Sequence, residues 1–337
     1  MTQPSSGAPE SRMVRARTRE GFELPVIDLT DPRFAVADDP VAARAAYDAF
    51  VTGERRRRRI PKFVMRMILR LAARKSRLLR AVFYSEGGFL DGISTYVMKL
   101  GPDNLVPPYD TPMDRRVAES PHVMLVRLRM QQVARLLAEG LVEDLAAAPA
   151  AAPLGLVNIG GGPALDSINA LILLRRARPD LLVRHVAIEV LDASPDGAFF
   201  GANALAALQA GDGPLAGLDI QMRRHKYDWN DMAALESLVG KLSSSGSIIA
   251  ASSEGALFEY GSDQAIVANL KALRAGARQV VGSVTCADET RRQTIAETRF
   301  KLVPRGIAGF APLVAEAGFR IAKAESALIS DQVLLRP

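Results

Sequence analysis

Three consecutive glycines, Gly160-Gly161-Gly162, interrupt an apolar stretch that runs Leu154-Gly155-Leu156-Val157-Asn158-Ile159 and resumes at helical spacing through Leu165, Ile168, Leu171 and Leu174. A buried strand that turns through a tight loop into a helix has this pattern. Glycine there lets backbone N–H groups approach a ligand at the helix N-terminus. The stretch Leu156–Leu174 therefore predicts the first βα unit of a nucleotide-type sheet, and the rest of the chain is read around it.

Downstream, strand-like and helix-like segments alternate. Strands are expected at 182–191, 218–223, 247–251 and 279–285, and helices at 197–210, 232–242, 263–273 and 309–317. Repeated βα units imply a parallel sheet with helices on both faces. The last two strands, 320–326 and 332–335, lie too close together for a parallel crossover and should pair antiparallel. The expected fold is α/β: a doubly wound, mostly parallel seven-stranded sheet with an antiparallel terminal hairpin strand, preceded by a helical N-terminal domain.

Upstream, residues 1–20 are polar and read as a poorly ordered tail. Apolar residues three and four apart predict helices over 41–51, 61–83 and 121–139, with Gly140 as a stop. The Ala/Pro-rich run 146–153 marks a boundary between a helical part, 21–150, and an α/β part, 151–337. Between the helices, Phe83 to Tyr96 mixes aromatics, glycines and acids, a composition suited either to a binding loop or to a helix–helix turn.

Composition excludes several classes. No uninterrupted apolar run is long enough for a membrane span, and the first residues lack a signal-peptide core, so a cytoplasmic protein is expected. A single cysteine, Cys286, excludes an intrachain disulfide and a multi-cysteine metal site. No Asp/His cluster has metal-ligand spacing, so no metal is expected. The net charge of +6 raises nucleic acid as a partner. Basic residues are nevertheless spread along the chain, and the dense run Arg55–Arg59 lacks interleaved aromatics, so it reads as a solvated helix face or local contact surface.

A second acidic signal follows the next strand: Glu189-Val190-Leu191-Asp192-Ala193-Ser194-Pro195. A carboxylate at a strand end can accept both ribose hydroxyl hydrogens, or it can cap the following helix. Asp192 is the first choice and Glu189 the reserve. With the terminal hairpin, the order of elements over 154–337 resembles the class I S-adenosylmethionine-dependent methyltransferases. The loop 157–164 is similar to that family's acidic-x-Gly-x-Gly-x-Gly motif, with Asn158 in place of the acid and Ala164 in place of the third glycine. The resemblance implies S-adenosylmethionine as cofactor, a small-molecule acceptor methylated at oxygen or another heteroatom, and the N-terminal helices as a lid or homodimer surface.

It further implies cofactor contacts from Asn158, Gly160, Gly161, Gly162, Asp192, Ala193, the adenine-side pair Asp228 and Trp229, and Ser252 and Ser253 after the fourth strand. Tyr84 and Arg129 are the N-terminal candidates for the cofactor, and Tyr96, Glu86 and Phe258 for the substrate; Arg127 is a further carboxylate-binding candidate. Glu254 could be a base or an orienting group, and His122 a base. A nicotinamide-dependent oxidoreductase shares the glycine loop and strand-end acid but not the hairpin. An RNA methyltransferase lacks its acceptor motifs here, and a non-catalytic cofactor-binding protein would be compatible with Asn158.

Overall fold

The computed structural model describes residues 13–84, 88–297 and 300–337. A short antiparallel hairpin, β1 (Arg15–Arg17) and β2 (Glu23–Pro25), leads into α1 (Pro40–Arg58), α2 (Lys62–Ala73), α3 (Arg77–Phe83), α4 (Gly92–Lys99), α5 (Pro112–Ala118) and α6 (Pro121–Ala146). Then follow β3 (Leu154–Ile159), α7 (Leu165–Ala177), β4 (Val186–Asp192), α8 (Pro195–Gln209), β5 (Ile220–Lys226) and α9 (Ala233–Ser244). The chain continues through β6 (Ile248–Ser253), α10 (Leu257–Tyr260), α11 (Asp263–Arg274), β7 (Ala277–Thr285), α12 (Glu289–Glu297), α13 (Gly306–Glu316), β8 (Arg320–Ser326) and β9 (Ser330–Arg336). Among the described residues no helix is long and apolar enough to cross a membrane.

Strands β3 to β9 form one seven-stranded sheet in the order β5-β4-β3-β6-β7-β9-β8. The pairs among β3 to β7 are parallel, whereas β9 pairs antiparallel to both β7 and β8. The central strands β3 and β6 are buried at every position, as expected of parallel strands covered on both faces. Alternation along them still sorts the faces. Leu154, Leu156, Ile188, Val190 and Ala250 pack with α6, α7 and α8, and Val157, Ile159, Leu191, Ile249 and Ala251 pack with α9, α11 and α13. Edge strand β8 carries Lys323 and Glu325 outward, paired to Glu139 and Arg135 of α6, which guards it against further strand addition.

The helical part does not form a core of its own. One apolar cluster extends from Ala16 and Leu24 through Val133 and Leu137 of α6 to Leu171, Phe200 and Leu334, so the boundary expected at 150/151 divides one core. Gly140 does not stop α6; the helix continues to Ala146. A Cβ at Gly140 would lie 1.7 Å from Oε1 of Gln279 on β7, so glycine serves close approach of helix to sheet. The single helix expected over 61–83 is two, broken at Arg74 to Ser76. Ser76 caps α3 by accepting from the Leu79 amide at 2.9 Å, and the Asp114 carboxylate accepts from its hydroxyl and from the Leu78 amide. The run Arg55–Arg58 occupies the last turn of α1, where cations oppose the negative end of the helix dipole.

Candidate active site

A cavity of about 1590 Å³ opens over the carboxyl ends of β3, β4 and β6. Strand order reverses there, because β4 and β5 lie on one side of β3 and β6 and β7 on the other, and ligands of open α/β sheets bind in such a crevice. Its floor is the glycine loop, Asp192, Asp228 and Trp229, and its cover comes from α3, α4 and α6. This volume exceeds the ~300–1,000 Å³ typical of one small ligand and admits a cofactor with an acceptor.

The glycine loop turns where only small residues fit. Gly160 has φ +68°, and a Cβ on it would lie 2.7 Å from the Ala256 Cβ and 3.3 Å from the Trp229 ring. Gly162 has φ +54° and packs against the backbone of Gly92 and Gly197. Ala164 is also left-handed, at φ +54°, so strain is held next to the loop. Asp192, at the end of β4, accepts from the Gly162 amide at 3.0 Å and from the Ser194 amide at 2.9 Å. It braces the loop and keeps further lone pairs for a ligand; burial raises its pKa against those two hydrogen bonds. Ala193 lines the same wall. The long interval between loop and acid is taken up by α7 and a 3-10 turn at Pro179–Leu182.

Asp228 is exposed at the rim, with Oδ1 accepting from the amide and side chain of Asn230. Trp229 packs on Phe89 at 5.9 Å, and Phe89 on Tyr260 at 4.8 Å, making an aromatic wall. Tyr84, half exposed, also lines the cavity.

Several expected contacts lie elsewhere. Asn158 is fully buried beneath the loop, its Nδ2 donating to Asp166 Oδ1 at 2.7 Å and Ser252 Oγ at 3.1 Å. The parallel register sets Asn158 beside Ser252 and neither lines the cavity, although Asn158 Oδ1 has no hydrogen-bond partner among the described residues. An acid is nonetheless present: Asp166, in the first turn of α7, leaves Oδ2 unpartnered, and burial raises its pKa. Ser253 is likewise structural, donating to the Ile159 carbonyl and accepting from the Leu257 amide, both at 3.0 Å. Phe258 is fully buried against Phe310 in the core and is not part of the cavity wall. The Tyr96 ring reaches the wall, but its hydroxyl donates to the Pro25 carbonyl at 2.7 Å and accepts from the Ile27 amide at 2.9 Å, so it straps the N-terminal segment and is unavailable to a substrate. Arg127 donates to the Phe34 carbonyl outside the cavity. Reserve residue Glu189 is buried with His225 at 2.7 Å. Glu86 lies outside the described residues.

Beyond the loop, a buried ion network forms the far wall. Glu254 receives Lys99 on one oxygen and Arg129 Nε at 2.6 Å on the other, and Arg129 Nη1 reaches both Glu259 oxygens at 3.2 Å. Burial raises the Glu254 pKa, but Arg129 and Lys99 more than offset it and hold the carboxyl down at about 2. A carboxylate so stabilised is a poor base, which corrects the base role and leaves the orienting one. Arg129 Nη2 makes no hydrogen bond among the described residues and lies beside Gly255. His122, at the start of α6, stacks on Phe50 at 5.2 Å and has an unpartnered Nδ1. Burial, with the charges of Arg291 and Arg129, holds its pKa down at about 3, so the imidazole is neutral at physiological pH. Sequence reasoning missed Lys99, Glu259 and Arg291. A lysine inside the otherwise buried Tyr96-Val97-Met98-Lys99-Leu100 was a readable signal for the first; nothing local marks Arg291.

No family model matches the chain, and no curated protein matches it. Among solved structures the chain is similar to magnesium protoporphyrin IX methyltransferase from Synechocystis PCC 6803 with bound SAH, at 16% identity over 64% of this chain and 86% of that one, TM-score 0.42. It is similar to N,N-8-amino-8-demethyl-D-riboflavin dimethyltransferase from Streptomyces davawensis, at 15% identity over 77% and 69%, TM-score 0.37. A SAM-dependent methyltransferase from Leishmania major is 12% identical over 99% of this chain and 100% of that one, TM-score 0.36. With TM-scores below 0.5, these likenesses decide neither activity nor substrate. The strand order is more telling, because β9 enters antiparallel between β7 and β8, where a dinucleotide-binding sheet would have a parallel crossover. The fold is a doubly wound α/β sheet with an antiparallel terminal hairpin.

Proposed function

We propose that this protein is an S-adenosylmethionine-dependent methyltransferase acting on a small-molecule acceptor at oxygen or another heteroatom. The observation that carries the reading is Asp192, braced between the Gly162 and Ser194 amides at the topological switch point, in a sheet that ends in an antiparallel hairpin. S-adenosylmethionine, when bound, supplies an electrophilic methyl group. Asp192 would hold the ribose hydroxyls, the glycine loop would give backbone N–H groups and close approach, and Trp229 with Asp228 would flank the adenine. Arg129, through its free Nη2, would meet the cofactor carboxylate.

The chain's own contribution to rate is positioning and water exclusion under α3, α4 and α6. His122 lines the cavity wall, but with its pKa held at about 3 it is as weak a base as Glu254, so no dedicated base is assigned and the rate rests on positioning. None of Arg55–Arg59 lines the cavity, so a nucleic-acid acceptor gains no support there. A homodimer belongs to the same proposal, through the exposed apolar stripe Phe63, Met67 and Leu71 of α2. Light scattering of Phe63→Glu tests it, a monomeric wild type speaking against it.

Calorimetric titration of S-adenosylhomocysteine and NAD into the purified chain tests the cofactor. S-adenosylhomocysteine should bind, and Asp192→Ala should weaken it by about 10- to 100-fold, the worth of one hydrogen bond to a charged group. Binding of NAD alone would overturn the reading.

A further inference from the structure

We infer that the acceptor carries a carboxylate and that Arg291 is the residue that recognises it. The inference rests on the methyl-transfer reading for the word acceptor, but the binding it describes is measurable without it.

Three cationic side chains that are more than nine-tenths buried line the cavity: Lys99, Arg129 and Arg291. Lys99 and Arg129 are paired to Glu254 and Glu259. Arg291, only 5% exposed, makes no side-chain hydrogen bond or ion pair among the described residues, and its Nε is buried without a partner. Leaving a buried guanidinium unpaired is costly, and proteins retain such groups where a ligand completes them. Glu259 acts on Arg291 through charge but is already held by Arg129 on both oxygens, and Asp288 accepts from the Arg291 backbone amide at 3.0 Å rather than from its guanidinium.

Position separates this group from the cofactor side. Arg291 belongs to α12, which follows β7, whereas Asp192 ends β4, three places away in the sheet. At ~4.8 Å per strand, β4 and β7 lie ~14 Å apart in the sheet. The cofactor end already has Arg129 Nη2, which lies beside Gly255, the neighbour of the Ala256 that packs on Gly160. A guanidinium fork fits a carboxylate in bidentate geometry. Glu259 beside it opposes a second negative charge, which favours a monoanion over phosphate. Phe89 and Tyr260, packed on each other at 4.8 Å, then suit a planar, apolar body on that acid.

The test uses the full chain with and without saturating S-adenosylhomocysteine, and benzoate, salicylate and 1-naphthoate as probes beside their amides and inorganic phosphate. Calorimetry should show the carboxylates binding in preference to the amides and to phosphate. Arg291→Met should weaken them by about 10- to 100-fold, as expected for loss of a charge-assisted pair, with Arg291→Lys in between. Affinity for S-adenosylhomocysteine should stay unchanged in both variants. Unliganded Arg291→Met should melt at or above the wild-type temperature, because it removes an unpaired buried cation; a structural role would lower it. Carboxylates that bind no better than amides, preference for phosphate, or Arg291→Met losing S-adenosylhomocysteine while keeping the carboxylates each overturn the inference. A wild type that takes carboxylates but not S-adenosylhomocysteine instead sinks the methyl-transfer reading and leaves Arg291 as an anion site.

Discussion

Replacing Glu254 by glutamine keeps the shape of the side chain and removes the charge on which Lys99 and Arg129 converge. Two buried cations then share the single carboxylate of Glu259, which only Arg129 reaches. The magnitude follows from proton linkage. The carboxyl is held at about 2 in the folded chain against an ordinary value of 4.5, and at ~1.4 kcal/mol per pKa unit the ionised form contributes about 3 kcal/mol. Breaking one side of a buried ion pair costs ~3–5 kcal/mol in other proteins, so the two routes agree. Because the folded pKa is depressed, this stability is complete above the unfolded value of 4.5 and disappears as pH falls through that value towards about 2. Guanidinium unfolding at neutral pH should therefore place Glu254→Gln about 3 kcal/mol below wild type, with the gap closing on acidification. A gap under ~0.5 kcal/mol at neutral pH, or one that does not shrink with acid, would refute the network as a source of stability. Should turnover vanish while stability is untouched, Glu254 would be the base after all.

Gly160→Ala forces a left-handed alanine into a Cβ contact of 2.7 Å, and should lose ~1–3 kcal/mol of stability together with S-adenosylhomocysteine binding, read by unfolding and calorimetry. Tyr96→Phe removes the strap to Pro25 and Ile27, and should cost ~1–3 kcal/mol while leaving cofactor affinity intact; a selective loss of substrate binding would restore Tyr96 to the site. His122 is held at about 3 against an ordinary value of 6.5, so it draws stability away as pH falls through 6.5 towards about 3, where the unfolded chain protonates first. His122→Gln should hold its stability further into acid than wild type, and an unchanged acid limb in thermal melts would count against the buried, neutral imidazole.

Much of the architecture was legible because it is written locally. Parallel strands buried on both faces are continuous apolar runs, the turn between β3 and α7 needs glycine, and the few residues between β8 and β9 forbid a parallel crossover. These properties depend on neighbours in sequence, and they determined the sheet, its terminal hairpin and the place of the glycine loop and Asp192. What failed depended on partners far away in the chain. Gly140 reads as a helix stop until Gln279 is seen pressing on it, and Asn158 reads as a cofactor ligand until register sets it beside Ser252. Ser253 and Phe258 follow a strand end that looks like a site, yet their side chains point into the core.

The sequence by itself determined that a doubly wound sheet with a glycine turn and a strand-end acid would form, since periodicity and turn chemistry are properties of short segments. Only the tertiary structure decided which charges meet. Lys99, Arg129 and the pair Glu254 and Glu259 come from three separate segments, and they balance one another only when α4 and α6 close over the end of β6. Arg291, brought to the same wall by α12, is left without a side-chain partner among the described residues, because Coulombic pairing depends on distance in space and not on distance along the chain.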